Sequence, residues 1–397
     1  MKILQVNKFL YPKGGSETYM FELSNALKEK GYSIEYWGMK DEKNSVKDTY
    51  NCFVNNIDFS ALSMVEKFSS SFSTIYSIES KNKISIILDK FKPDIVHIHN
   101  FNFQLTPSIL SEIKKRGIKI VYTAHDSQLI CPYHRLYNFQ KDAICTKCID
   151  GSFSNCIKER CFDGSLMKST IGSLESYFYH KLDYYNKYID SIISPSKFLA
   201  DKLSHLYAKK IEVIPNFVKL EFDEDTEKED YILYFGRVSK EKGIIDILSF
   251  FDKNKILLKI IGNGSEVDSI IDSKFIEYLG PIYGDALFPH IQKAKFVIQP
   301  SIWYENCPMT IIESFACATP VVGAKHSGFL ELIEEGTNGF LIDFTNDNYE
   351  ELLLNRISLY NSDFSKFSRA SYTKYYTQDV HIPKVIKVYE EVLNESI

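Results

Sequence analysis

The stretch Pro300-Ser-Ile-Trp-Tyr-Glu-Asn-Cys-Pro-Met-Thr-Ile-Ile-Glu-Ser-Phe-Ala-Cys-Ala-Thr-Pro-Val-Val322 decides how the chain is read. Just ahead of it the apolar run Phe296–Gln299 has the pattern of a buried strand, and it passes into a short polar and aromatic loop. Pro308 stands where the first position of a helix is expected, since its fixed φ is already helical and its missing N–H costs nothing there. The helix continues through Ile312, Phe315 and Ala316, and Thr319-Pro320 stops it before a further strand at Val321-Val322. Two carboxylates result: Glu305 on the loop ahead of the helix, and Glu313 about two turns inside it.

A strand, a loop and a helix N-terminus in that order favour an anion, because free backbone N–H groups and the helix dipole point at it. A Glu ahead of those amides would sit beside whatever the phosphate carries; a Glu further along could accept from ribose hydroxyls. Taken alone, such a pair reads as a solvated loop acid and a surface helix charge. With its flanking Ala-Cys-Ala-Thr-Pro-Val-Val, the pair closely resembles the donor-binding motif of retaining GT-B glycosyltransferases, family 4. That resemblance implies an α/β chain of the GT-B fold, with two Rossmann-like doubly wound domains facing a central cleft.

At 397 residues the chain exceeds the usual single-core size, so two domains are expected. A net charge of −5 argues against bulk nucleic-acid binding, and no nucleic acid is expected as a partner. Met1–Val6 enters a strand with no signal-peptide core, and no apolar run reaches the roughly 20 residues of a membrane span. A cytoplasmic protein is expected on that reading, and its eight cysteines then read as thiols or metal ligands rather than disulfides.

Strand and helix alternate through the first half, with strands at Ile3–Val6, Ser33–Trp37, Ile95–His99, Lys119–Thr123 and Ser191–Ser194. Ser16 is read as the cap of a first helix, and Thr106-Pro107 as the opening of a later one. Residues 41 to about 75 show no clear period. A polar, cysteine-rich insertion occupies 131–161, and a long aromatic helix follows from about Leu166 to Tyr188. This rhythm calls for a mostly parallel sheet covered on both faces. The acidic run Glu221–Asp230 suits a linker, and the alternation restarts at Tyr231–Phe235, with further strands at Ile256–Ile261, Ile276–Leu279, Phe296–Gln299, Val321–Gly323 and Phe340–Ile342. The domains so read are 1–218, on the acceptor side, and 219–377, on the donor side. By the family's habit, the last helix, about 378–397, packs back on the first domain.

Gly236-Arg237-Val-Ser-Lys-Glu-Lys242-Gly243 follows the first strand of the second domain; a planar fork of donors and a compact ammonium both suit a diphosphate. It is similar to the family element whose Arg and Lys hold the donor pyrophosphate. Gly262-Asn263-Gly264, between strand and helix, lets backbone approach a ligand. The segment Leu279-Gly280-Pro281-Ile282 resembles the one whose backbone meets the base. Gly14-Gly15, ahead of the first helix, is a plain loop or, as in the family, a place where the Gly15 N–H and the helix dipole meet the donor phosphate. Thr123-Ala124-His125-Asp126 ends a strand and resembles the element whose His lies near the donor sugar. His97 and His99 read as one packed residue and one site residue, neither of them catalytic, and Asn100 as within reach of an acceptor.

The resemblance implies a retaining transfer from a nucleotide-sugar donor, a UDP- or GDP-sugar. Negative charge growing on the leaving diphosphate would be met by Arg237, Lys242, the amides near Met309 and Thr310, and Gly15. Glu305 would orient the sugar, Glu313 the ribose, and Asn306 and Pro308 flank them in the binding loop; His125 joins Glu305, Arg237 and Lys242 as a catalytic candidate. No catalytic divalent metal and no cofactor are implied. The expected acceptor is a glycan, lipid-linked in cell-surface polysaccharide synthesis such as capsule or lipopolysaccharide. Alternatives are a sugar-nucleotide epimerase of the same fold or a non-catalytic nucleotide-sugar-binding subunit. Cys145-x2-Cys148 with Cys156 and Cys161 could hold a structural zinc, or simply pack a loop as free thiols. Lys114-Lys-Arg116 with Lys119, and the aromatic helix with Lys168, Lys181 and Lys187, could face anionic lipid at the inner face of the cytoplasmic membrane.

Overall fold

The computed structural model describes residues 1–56, 73–220 and 226–395. The chain divides into two compact units, Met1–Ile214 with Ile382–Ile397, and Pro215–His381. Unit one is a six-stranded parallel sheet, β1 (Lys2–Asn7), β2 (Ser33–Trp37), β3 (Ile95–Asn100), β4 (Lys119–Thr123), β5 (Ser191–Ser194) and β6 (Ile211–Val213), in the order β2-β1-β3-β4-β5-β6. Ile3 pairs with both Ile34 and Ile95, so the chain leaves β1 on one side and returns on the other. Ile3, Leu4, Val6, Ile95, Val96 and Ile98 are all buried, as are the intervening Gln5 and His97, so both faces of these strands are covered.

Helix α1 (Gly15–Glu29) buries Met20, Leu23 and Leu27, and its cap is Gly14 rather than Ser16, which lies inside the helix. Helix α2 (Ile78–Phe91) is capped by Ser77, whose hydroxyl accepts from Ser80 N. The helix expected at Thr106-Pro107 starts only at Ile109, because Thr106 takes φ +53°. The long aromatic helix is two: α3 (Leu166–Lys181) and a short Tyr184–Tyr188, separated where Asp183 takes φ +50°. Much of the stretch without a period, residues 57–72, lies outside the described residues, as does 221–225 of the expected linker. The basic cluster is not a free patch. Lys114 pairs with Asp190 at 2.7 Å, Lys115 with Glu112 at 3.1 Å, and Arg116 with Asp89 at 2.7 Å. Lys119 Nζ donates to Glu395 O.

Unit two repeats the plan with β7 (Ile232–Phe235), β8 (Leu258–Ile261), β9 (Ile276–Gly280), β10 (Phe296–Gln299), β11 (Val321–Ala324) and β12 (Gly339–Ile342), parallel in the order β9-β8-β7-β10-β11-β12. The side chains of β7 alternate: Leu233 and Phe235 join a core with Val297, Ile311 and Phe315, while Ile232 and Tyr234 join another with Phe251, Ile260 and Ile298. Its helices α4 (Met309–Ala316) and α5 (Ser362–Tyr375) are followed by α6 (Gln378–Asn394), whose Ile382, Val385, Val388, Tyr389 and Val392 are buried. In both units the strand order reverses once, between β1 and β3 and between β7 and β10. The loops leaving those strand ends are where such sheets take ligands.

Candidate active site

In unit two the switch point gathers four loops. The turn after β7 carries Arg237 and closes in a 3-10 turn, Lys240–Lys242. The Gly262-Asn263-Gly264 turn after β8 lies against it: Val238 N donates to Asn263 O at 3.0 Å. A Cβ on Gly262 would stand 1.8 Å from Gly236 O, so only glycine permits that approach. Gly280, at the end of β9, accepts from Gly262 N at 3.0 Å, which sets Pro281 beside the same turn.

The loop between β10 and α4 supplies Glu305. One of its carboxylate oxygens accepts from the Lys242 ammonium, from Trp303 Nε1 at 2.8 Å and from Ser301 Oγ at 3.2 Å. Burial would raise this carboxyl, but the Lys242 charge and these donors outweigh it and hold it below its ordinary range. The Trp303 ring lies 5.7 Å from the Arg237 guanidinium and 5.4 Å from the Lys242 ammonium, each within cation–π range. Arg237 reaches Glu241 at 3.6 Å and keeps half its side chain exposed. The structure thus brings Arg237, Lys242 and Glu305 together.

A second layer fixes the loop. Glu305 N donates to Ser327 Oγ at 3.1 Å, and Gly328 N donates to Glu305 O at 2.8 Å. His326 Nε2 faces Ser301 O at 2.9 Å, an acceptor only, so Nε2 carries the proton. Its Nδ1 then accepts from the Ser327 hydroxyl at 3.0 Å, and burial keeps the imidazole neutral. A Cβ on Gly328 would stand 1.7 Å from Asn306 O, so the loop through Asn306 rests directly on this backbone.

Pro308 is the cap of α4, with ψ 122°, not its first residue, because the cap position takes extended ψ. Met309 and Thr310 are then the first two helical residues, whose N–H groups have no partner within the helix. Glu313 is the fifth helical residue, little more than one turn in rather than two. Burial pushes its carboxyl up to about 7.

In unit one Gly14 and Gly15 follow β1 at the switch point, and His125 follows β4, next but one in the sheet. Ser16 Oγ accepts from Asn100 Nδ2 at 3.2 Å, tying the start of α1 to the end of β3. His97 and His99 are both fully buried, so the division into one packed and one site residue does not hold. His99 Nδ1 lies 2.9 Å from His125 Nε2, its other nitrogen meets Gln5 Oε1 at 2.8 Å, and the Tyr19 ring packs edge-on to both. Burial lowers His125 to about 3 and raises Asp126 to about 6, so the His125 imidazole is neutral at pH 7.

In the insertion Cys148, Cys156 and Cys161 form a small core with Phe153; Cys131 is buried as well, and Cys145 is partly exposed. All are free thiols, and among the described residues no group of three or more His, Cys, Asp or Glu is gathered to hold a metal ion.

Trp303, His326 and Ser327 escaped the sequence reading. Trp303 had a local cue, standing two residues before Glu305, but the His326 and Ser327 contacts join segments over twenty residues apart.

Residues 218–373 match the family described as glycosyl transferases group 1, and residues 13–222 match glycosyltransferase family 4. An uncharacterized glycosyltransferase of Methanocaldococcus jannaschii is 27% identical over 216 residues, 51% of this chain and 60% of that protein. A second protein from the same organism is matched over 50% of its length, so the chain spans between half and three fifths of these two curated relatives. Sucrose-phosphate synthase from Thermosynechococcus elongatus superposes with a TM-score of 0.72 at 14% identity, covering 100% of both chains. The Anabaena protein HepE in complex with UDP gives 0.68 at 15% identity, covering 98% of this chain and 100% of that one. Among the described residues no helix is long and apolar enough to cross a membrane.

Proposed function

The chain belongs to glycosyltransferase family 4 and has the GT-B fold, and from that we propose that it is a retaining glycosyltransferase using a UDP- or GDP-sugar. The observation that carries the reading is the meeting of Arg237, Lys242 and Glu305 on the loops leaving the sheet, with the first helical amides, of Met309 and Thr310, following Glu305 in the same loop-to-helix segment. Two cations and two N–H donors suit a diphosphate, and the UDP bound by the Anabaena neighbour is consistent with such a ligand. In the free protein Lys242 is taken up by Glu305. A diphosphate arriving at Lys242 replaces that carboxylate, and Glu305 turns to the sugar hydroxyls. The bond between the anomeric carbon and the phosphate oxygen breaks with its electron pair leaving on the phosphate, whose charge the cations stabilise. The acceptor oxygen bonds to the same face, and its proton passes to the departing phosphate. Glu313 binds the ribose; within unit one, Gly14 and Gly15 offer the start of a helix to an anion, and the neutral His125 imidazole can accept a hydrogen bond from a hydroxyl.

The acceptor is a glycan, lipid-linked in surface-polysaccharide synthesis. With Lys114, Lys115 and Arg116 neutralised, the membrane-facing element is α3, which exposes Leu166, Met167, Leu174, Tyr177 and Phe178 beside Lys168 and Lys181. Salt-independent failure to sediment with anionic liposomes removes that contact. The central test is nucleotide release across UDP- and GDP-sugars with lipid-linked acceptors. Lys242→Ala and Glu305→Ala are each expected to lower kcat/KM roughly 100-fold or more, the scale of a lost transition-state contact. Wild type releasing nucleotide no faster than these variants defeats the reading.

A further inference from the structure

We propose that unit two carries a second anion site, apart from the donor loop, that takes a phosphoryl group. A cavity of about 780 Å³ lies at the C-terminal end of α4, around Cys317 and Ala318. Four cationic side chains line it, Lys228, Lys366, Arg369 and Lys374, and among the described residues no carboxylate does. Ser362, Lys366, Arg369 and Thr373 recur every three or four residues along α5, so one stripe of that helix faces the cavity, with Lys374 at its edge.

Lys228 comes at this stripe from outside the helix. Its ammonium donates to Thr319 Oγ1 at 2.6 Å, and no carboxylate of the described residues pairs with it. Burial pushes it down to about 7, with only the Cys317 thiol pulling the other way. An ammonium drawn out of water is costly, and an anion in the cavity would offset that cost.

Capping the helix explains only part of the cluster. Arg369 Nη1 donates to Ala316 O at 2.6 Å and its guanidinium lies 4.8 Å from the Tyr372 ring, which suffices to satisfy the end of α4. Three ammonium groups remain around the same space. Lys366 shares itself with the exposed Asp363 at 3.0 Å, and Lys374 lies 4.7 Å from the Tyr375 ring. A phosphoryl group offers several acceptor oxygens and up to two charges, so it can engage ammonium and hydroxyl donors at once. The eight residues of α4 put about 12 Å between this cavity and the amides of Met309 and Thr310, so one anion cannot serve both places.

The test titrates inorganic phosphate into the full chain at constant ionic strength, read by thermal shift and calorimetry. Three proteins are compared: wild type, Lys242→Ala in the donor loop, and the Lys366→Ala/Lys374→Ala double variant, with circular dichroism confirming the fold of each. A saturable rise in Tm that persists in Lys242→Ala, and an affinity at least about tenfold weaker in the double variant, supports the site. No saturable rise, a rise lost in Lys242→Ala, or one the double variant retains in full overturns it. Because Lys242 is varied separately, failure here leaves the transferase reading untouched, and failure of that reading leaves this site standing.

Discussion

Glu305 and Glu313 sit eight residues apart, yet their surroundings drive them in opposite directions. The Lys242 ammonium and two further donors keep Glu305 ionised, whereas Glu313 has burial alone and rises to about 7. For Glu313 the folded value lies above the unfolded one, near 4.3, so the folded chain holds this proton more tightly. Its favourable contribution is complete below about pH 4 and is lost as pH climbs through 7. Glu313→Gln removes the titration. It is expected to match wild type in urea unfolding near pH 4 and to exceed it by on the order of 2 kcal/mol at pH 8. A difference that does not grow between those pH values contradicts the assignment. That Arg237, Lys242 and Glu305 would share one neighbourhood was legible in the sequence because each lies on a loop that follows a strand of the same sheet, Arg237 and Lys242 each with a glycine beside it. His326 and Ser327 were not, because their importance lies in hydrogen bonds to a loop that the local sequence does not announce.

The central strands were legible to within a residue or two because they are short, mostly apolar runs in a sheet covered on both faces, as Phe296–Gln299 and Val321–Ala324 illustrate. Helix starts were less so. Ser16 and Pro308 each looked one or two positions out of place, since cap and first turn accept overlapping residue types and backbone ψ decides between them. The break after Lys181 left no glycine or proline to read, because a positive φ at Asp183 makes it. The cysteine insertion is the element whose role the fold least constrains. Its three buried thiols pack around Phe153, and turning Cys145, Cys148, Cys156 and Cys161 toward one point would make a tetrahedral structural zinc site, which we propose. Protein purified without chelator is then expected to carry one zinc per chain by elemental analysis and to lose part of its Tm when the metal is stripped. Sub-stoichiometric zinc leaves a thiol core instead.

Over the whole molecule, unit one is discontinuous: its sheet is built from Met1–Ile214, but Ile382–Ile397 completes it. The closing segment is substantial in energy. Ile382, Val385, Val388, Tyr389 and Val392 are all buried, and at roughly 1.5–3 kcal/mol per fully buried side chain their gross contribution is comparable with the net stability of a domain. One polar contact adds to it. The Tyr389 hydroxyl lies 2.7 Å from His97 Nδ1, and the other His97 nitrogen lies 2.7 Å from Thr123 Oγ1, so a fully buried imidazole on β3 takes one of its ring-nitrogen partners from α6. Removing that partner alone, as in Tyr389→Phe, is expected to cost unit one about 1–3 kcal/mol. Ending the chain after His381 removes both contributions at once. Hydrogen exchange on the truncated chain is then expected to show β1, β3 and β4 losing protection while β7, β8 and β10, whose cores draw on no residue beyond His381, retain theirs. If the truncated chain keeps full protection in β3 and melts at the wild-type temperature, the last helix is a passenger, and the completion of unit one must be sought elsewhere.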